Sequence, residues 1–114
     1  MVSTISFQNE LQKLPLPATG KWPHGVFDIE CFKHGSMSVI LYTPRIHDYQ
    51  TPHEQDELYI VHKGTGQLKT ENGTFAFVAG DVLFVPAGAV HQFEHFSEDL
   101  TLWVVFWGPK GGER

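Results

Sequence analysis

The sequence predicts an all-β fold, either a closed barrel or a double-sheet jelly roll, with one short helix at the N-terminus. From Gly25 onward, apolar and polar residues alternate in short runs, a pattern typical of β-strands. Gly, Pro, Asn and Asp interrupt these runs at intervals of about 8 to 12 residues, the spacing found in sandwiches and barrels. Helical periodicity is confined to the first residues, so no second helix is predicted.

The predicted helix begins at a polar N-cap, Ser3 or Thr4. Its apolar positions are spaced by four and three residues, which places them on one helical face. They are Phe7, Leu11 and Leu14. Two prolines follow and end the helix. Residues 1–24 are therefore predicted to form the helix and a lead-in segment.

Eight short strands are predicted between residues 25 and 108. They cover 26–33, 37–43, 57–62, 66–71, 74–78, 81–85, 90–96 and 100–107. The connections contain residues that tolerate positive φ, among them Gly35, Gly64 and Gly73. Because an open sheet of this size would leave adhesive edges, closure into a barrel or jelly roll is expected. Residues 109–114 are predicted to be a flexible tail.

Composition and charge limit the classes of protein to which the chain can belong. Its 114 residues suit one domain, with 41% hydrophobic and 18% charged residues, as in globular proteins. The formal charge is −5, and the eight basic residues are scattered, whereas a nucleic-acid-binding protein needs them clustered. We expect no nucleic-acid partner.

The sequence predicts a cytoplasmic protein without a membrane partner. Cys31 is the single cysteine, so no intramolecular disulfide can form, which fits a reducing compartment. The first twelve residues lack the basic start and apolar run of a secretory signal. No stretch approaches the roughly 18 apolar residues that span a bilayer.

Residues 102–107 of the last predicted strand show no alternation, so this strand is apolar on both faces. One face fills the barrel, and the other needs cover from the N-terminal helix or from a second subunit. The sequence therefore predicts a homodimer.

A histidine and a glutamate precede a glycine in the run TPHEQDELYIVHKG. In a straight strand His53 and Glu57 lie about 13 Å apart, so they can share one ion only if the chain turns between them. The polar residues 54–56 allow that turn. Glu57 then begins a strand on which Tyr59 shares its face, and Gly64 permits the reversal into the next strand.

A second run, GDVLFVPAGAVH, ends at His91. Pro86 and Gly88 make a tight turn that ends one strand. His91, Phe93 and His95 then alternate onto a single face of the next strand, which makes His91 an inward ligand. Two imidazoles and one carboxylate leave coordination positions open, an arrangement that suits Fe(II), Mn, Ni or Zn.

The two runs resemble the two signatures of the cupin family. The first signature has two histidines one residue apart, then a glutamate and a glycine; the second has a glycine and then PxGxxH. The resemblance covers roughly residues 37 to 107 and implies a double-stranded β-helix, or jelly-roll, barrel over residues 25–108. It also implies a divalent transition metal, Fe, Mn, Ni or Zn, held by His53, Glu57 and His91.

The first signature histidine falls at Thr51, and a hydroxyl is a poor ligand for such metals. The fourth ligand is therefore missing from the pattern. Its candidates are Gln50, Asp48, Tyr59 and His95. Contacts to the metal ligands or to a substrate are proposed for Gln50, Thr51, Tyr59, Phe93, His95 and Trp103. The aromatic members of this set also fit a simple core.

The leading hypothesis is a small metal-binding cupin that acts on a small organic molecule at the barrel mouth. The resemblance implies dioxygenases, isomerases and decarboxylases as the usual chemistries and does not choose among them. One alternative is a non-catalytic binding or sensing barrel with a degenerate metal site, in which His53, Glu57 and His91 form only a hydrogen-bonded polar cluster. Another is a structural subunit of a larger assembly.

Overall fold

The computed structural model describes residues 1–114 and contains one short helix and eight strands. The helix is α1 (Phe7–Leu11), and the strands are β1 (Asp28–His34), β2 (Met37–Tyr42), β3 (Asp56–Lys63), β4 (Gly66–Thr70), β5 (Gly73–Phe77), β6 (Val82–Val85), β7 (His91–Glu94) and β8 (Thr101–Trp107). The predicted all-β class and the single N-terminal helix are confirmed. The helix starts later than predicted, because Ser6 rather than Ser3 or Thr4 caps it by accepting a hydrogen bond from the Asn9 N–H.

The strands form two antiparallel sheets that enclose one core. The larger sheet has the order β1-β2-β8-β3-β6, and the smaller has the order β5-β4-β7. Both sheets contribute side chains to the core. Its buried members are Tyr42, Tyr59, Val61, Leu68, Phe77, Val85, Phe93, Leu100, Leu102 and Val104. This is the double-sheet arrangement of a jelly roll.

Strand β3 lies between β6 and β8 and follows the predicted alternation. Glu57, Tyr59 and Val61 point inward and are buried. Leu58 and Ile60 point to the outer face. The Glu57 carboxylate therefore lies inside the barrel, on the face of β3 that also contributes to the apolar core.

The outer face of β8 is partly covered by the N-terminal helix. The Phe7 ring lies 6.0 Å from the Trp103 ring, so the helix covers this half of the sheet. On the other half, Ile60, Val82 and Phe84 remain exposed, with Phe84 58% accessible. The homodimer remains a prediction, since a second subunit would cover this exposed half of the sheet. A measurement of the protein's mass in solution tests it.

The C-terminal residues 109–114, for which the sequence predicts a flexible tail, return to the start of β3. The Glu113 N–H donates to the Asp56 carboxylate at 2.9 Å, and the Ala87 N–H donates to the same group at 3.0 Å. These two bonds hold the pKa of Asp56 below its usual range. Gly112 is buried beside them. The residue types of the tail do not reveal these bonds, because the donors are backbone groups. The helix α1, with five residues, is too short to span a bilayer.

Gly64, which joins β3 to β4, cannot carry a side chain without a clash. Its φ is +94°, and a Cβ there would lie 2.7 Å from Leu100 Cα and 2.6 Å from Ser97 Oγ. We expect Gly64→Ala to lower the free energy of unfolding by about 2 to 4 kcal/mol. Chemical denaturation checks this. Gly20→Ala is the control, since no atom lies within 4 Å of its Cβ position, and equal stability of the two variants would contradict the prediction.

Candidate metal site

Three donor side chains meet between the two sheets. His53 comes from the loop before β3, Glu57 from β3 and His91 from the first position of β7. Their ligand atoms all lie within 4.8 Å of one another. Because β3 belongs to the larger sheet and β7 to the smaller, closure of the barrel is what brings these groups together.

Glu57 is a buried carboxylate with one oxygen that lacks a hydrogen bond. Its residue is 2% exposed, and no donor is directed at its Oε1 with hydrogen-bond geometry. The His91 Nε2 atom nevertheless lies 3.0 Å from that oxygen, and His53 Nε2 lies 3.7 Å from Oε2. A buried carboxylate with an unpaired oxygen is costly unless a cation compensates it.

The backbone determines which nitrogen of His91 faces Glu57 with a lone pair. The His91 Nδ1 atom lies 2.9 Å from the Ala89 carbonyl oxygen, which only accepts, so Nδ1 carries the proton. In the neutral ring, Nε2 then presents its lone pair toward the carboxylate. Burial lowers the pKa of His91, but the Glu57 carboxylate and the Ala89 carbonyl raise it, and the net pKa lies above its ordinary value. The pair therefore attracts a proton or a metal ion.

His53 is held as a neutral imidazole at the edge of the cluster. Its ring packs against Phe106 with centroids 4.7 Å apart, and its carbonyl oxygen accepts the Gly88 N–H at 2.7 Å. Burial lowers the pKa of His53, and this effect exceeds the opposing charge of Glu57. Metal ions bind neutral imidazole, so the lowered pKa favours binding.

The turn that brings His53 to Glu57 falls where the sequence predicts it. The chain bends at Glu54 and Gln55, and Asp56 begins β3. The Gln55 side chain donates to the carbonyl oxygens of Ser36 and Gly108 at 2.9 and 3.0 Å. The bend is thus fastened to two other loops.

Residues 41–107 match a family described as the Cupin domain. This chain belongs to the cupin family. The match covers more than half of the sequence and includes both runs that carry the three donor side chains.

One curated protein is similar to this cupin in sequence, and solved structures are similar to it in fold. An uncharacterized protein of Streptomyces coelicolor is 39% identical over 84 residues, which are 72% of this chain and 80% of the relative. The fold of a protein from Neisseria meningitidis matches with a TM-score of 0.68 at 16% identity, over 93% of this chain and 100% of the other. A sugar phosphate isomerase of the cupin superfamily from Silicibacter pomeroyi matches with a TM-score of 0.55 at 28% identity, over 66% of this chain and 52% of the other.

The cupin departs from the family signature at Thr51, and the structure places Gln50 at the cluster instead. Thr51 is exposed, and its hydroxyl accepts a hydrogen bond from the Lys21 ammonium at 3.2 Å. The Gln50 Oε1 atom lies 3.3 Å from His53 Nε2 and accepts a hydrogen bond from the Tyr59 hydroxyl at 2.8 Å. Of the sequence candidates, Gln50 and Tyr59 therefore lie at the cluster, while Thr51 faces outward.

Three other predicted contacts lie elsewhere. Phe93 is buried in the core below the site, with its ring 4.9 Å from that of Tyr59. His95 follows the end of β7 with a φ of +49°, which takes it out of the strand alternation and places it in a surface pocket beside Arg45. Trp103 lies under Phe7 on the outer face. His95 and Trp103 do not reach the cluster, contrary to the sequence interpretation.

A cavity of about 180 Å³ opens beside the cluster. One side is formed by the donor groups, and the other by three residues that the sequence reasoning missed: Lys21, Trp22 and Asp28. All three precede the segment that matches the family. Their sequence does not indicate that they line the cavity. This follows only from the folded structure, in which the lead-in segment and β1 lie over the barrel mouth.

Proposed function

We propose that this cupin binds a divalent transition metal through His53, Glu57 and His91 and acts on a small organic molecule in the adjoining cavity. The observation that carries the proposal is the pair of buried acceptors, Glu57 Oε1 and the His91 Nε2 lone pair, 3.0 Å apart. A cation between them relieves their repulsion. Fe(II), Mn, Ni and Zn all accept imidazole and carboxylate ligands.

The cavity supports a small organic molecule as the ligand. Its volume of about 180 Å³ equals roughly six times the volume share of a water molecule in the liquid. Trp22 and Phe106 provide apolar walls that exclude water and hold a carbon skeleton. Lys21 places a positive charge at the mouth, which favours an anionic or oxygen-rich compound. A bound metal would supply Lewis-acid polarisation of one oxygen of that compound.

Asp28 favours proton-transfer chemistry among the reactions implied by the family. It pairs with Tyr42 in the β1–β2 register, and both side chains line the cavity. Burial raises the pKa of Asp28 despite the nearby charge of Lys21. A carboxyl group with a raised pKa can take up and return a proton. The similar isomerase from Silicibacter pomeroyi agrees with such a reaction.

Metal analysis of the reconstituted protein tests the proposal. We expect about one equivalent of Fe(II), Mn, Ni or Zn after removal of excess ion, because one cluster of donors is present. His53→Ala should reduce this content severalfold. His34→Ala is the matched control, since His34 lies at the exposed end of β1.

A content below about a tenth of an equivalent for every metal would contradict the proposal, since a metal site of the kind proposed would retain most of its ion. That result would favour the non-catalytic binding barrel, for which the replacement of the first signature histidine by Thr51 is the supporting observation. Equal metal content in the His53 and His34 variants would place the ion at another site.

A further inference from the structure

We infer that the Gln50 side-chain oxygen is the fourth protein ligand of the metal and replaces the imidazole that Thr51 does not supply. The inference rests on the proposed metal site and adds to it the one donor that no histidine or acidic residue provides. It would make the donor set two nitrogens and two oxygens, in place of the three imidazoles and one carboxylate of the family signature.

A buried carboxylate fixes the orientation of the Gln50 amide. Asp48 is fully buried and accepts hydrogen bonds from both the Gln50 backbone N–H and its side-chain Nε2. A carboxylate accepts but does not donate, so the NH₂ group of Gln50 must face Asp48. The amide oxygen is consequently turned toward the cluster and cannot exchange places with the nitrogen without losing this bond.

Two separations between neighbouring donor atoms of the cluster, one of them from the Gln50 oxygen, suit a shared ion. Donor atoms about 2.1 Å from a common ion lie roughly 3.0 to 3.5 Å apart when they are adjacent. The Gln50 oxygen lies 3.3 Å from His53 Nε2, and the Glu57 oxygen lies 3.0 Å from His91 Nε2. Both separations fall in that range.

The Tyr59 hydroxyl orients the Gln50 side-chain oxygen and leaves one lone pair of that oxygen available. It lies 2.8 Å from Gln50 Oε1 and 3.1 Å from His91 Nε2, so it touches two of the four donors. An amide oxygen has two lone pairs, one of which can accept from the hydroxyl while the other binds the ion.

The direct neighbour in the chain provides the contrast. Thr51 occupies the position of the signature histidine, but its hydroxyl bonds to Lys21 and it does not line the cavity. Successive residues of an extended chain point to opposite sides. The chain therefore presents Gln50, and not Thr51, to the cluster.

Cobalt(II) is the probe for this inference, because its visible bands report coordination geometry and its affinity can be measured against a chelator. We expect Gln50→Leu, which keeps the bulk but removes the donor, to weaken cobalt binding by about 10- to 100-fold and to change the band positions. Gln50→His restores a ligand, so we expect it to recover most of the affinity, with bands shifted by the additional nitrogen. Thr51→Ala is the control and should match the wild type in both measurements.

The outcomes separate this inference from the proposed function. A wild-type protein that binds no cobalt would overturn both. A wild type that binds, with a Gln50→Leu variant of equal affinity and identical bands, would overturn the inference alone. Weaker binding with unchanged bands would show that Gln50 only positions other ligands, and this too would overturn it. Metal-free thermal melts of each variant identify any loss of affinity that comes from misfolding.

Discussion

Replacing Glu57 with glutamine should weaken metal binding by at least about 100-fold while leaving the metal-free protein as stable as the wild type, or more stable. The loss of affinity follows from removal of the only carboxylate in the cluster of three donors. Loss of a group that merely supports a metal ligand already costs roughly 10- to 100-fold, so loss of the one negatively charged ligand should cost more.

The gain in the metal-free state has a separate cause and is expected at a pH above the raised pKa of His91, where its ring is neutral. Glu57 Oε1 is buried and lacks a hydrogen bond, and the lone pair of His91 Nε2 lies 3.0 Å away. A glutamine amide placed there can donate to that nitrogen, which turns a repulsive contact into a hydrogen bond. It also removes a buried negative charge.

Thermal unfolding with and without metal measures both effects. Metal at about 100 times its dissociation constant should stabilise the wild type by about 2.7 kcal/mol, and Glu57→Gln should show no such increase. Glu54→Gln is the matched control, because its side chain is 72% exposed and pairs only with Lys110 on the surface. A Glu57→Gln variant that still responds fully to metal, or that is destabilised by more than about 2 kcal/mol without it, would contradict the prediction.

Most of the fold could be predicted because alternation and turn residues are local signals. The β3 residues Glu57, Tyr59 and Val61 face inward as their spacing of two requires. The sequence predicts the N-cap too early because several hydroxyl residues precede the helix, and only the bond from Asn9 selects Ser6. Local pattern locates an element more reliably than its boundary.

The candidate site could be predicted only as far as its two sequence runs extend. His53, Glu57 and His91 lie together because each run fixes the direction of its own donors. Alternation predicts His95 on the face of His91, but β7 ends at Glu94 and the backbone turns there. A strand end is a property of sheet pairing, which the sequence of one strand does not contain.

The cavity wall and the fourth donor depend on contacts between distant segments. Lys21 and Asp28 meet the cluster because the lead-in and β1 close over the barrel mouth. Gln50 was one of four candidates for the missing ligand, and only its bonds to Asp48 and Tyr59 distinguish it. These bonds depend on the directions in which the side chains point in the folded protein, and positions in the sequence do not contain those directions.

Asp48→Ala should lower the free energy of unfolding by about 3 to 5 kcal/mol, a large part of the stability of a small domain. Asp48 is fully buried, and its carboxylate accepts from the Tyr42 hydroxyl at 2.6 Å and from the Phe93 N–H at 2.8 Å. It also accepts from Gln50, so one side chain satisfies donors on β2, β7 and the loop before β3. Alanine would leave these donors unpaired inside the barrel, at a cost of about 1 to 3 kcal/mol for each fully buried one.

Urea denaturation of the metal-free protein measures this effect without interference from metal binding. Asp81→Ala is the control, because Asp81 is exposed and its carboxylate accepts one backbone bond, from Val78. Tyr42→Phe removes a single donor from Asp48 and should cost about 1.5 to 3 kcal/mol, less than the alanine variant. If Asp48→Ala were no less stable than Asp81→Ala, the buried carboxylate could not be the group that joins the two sheets beside the candidate metal site.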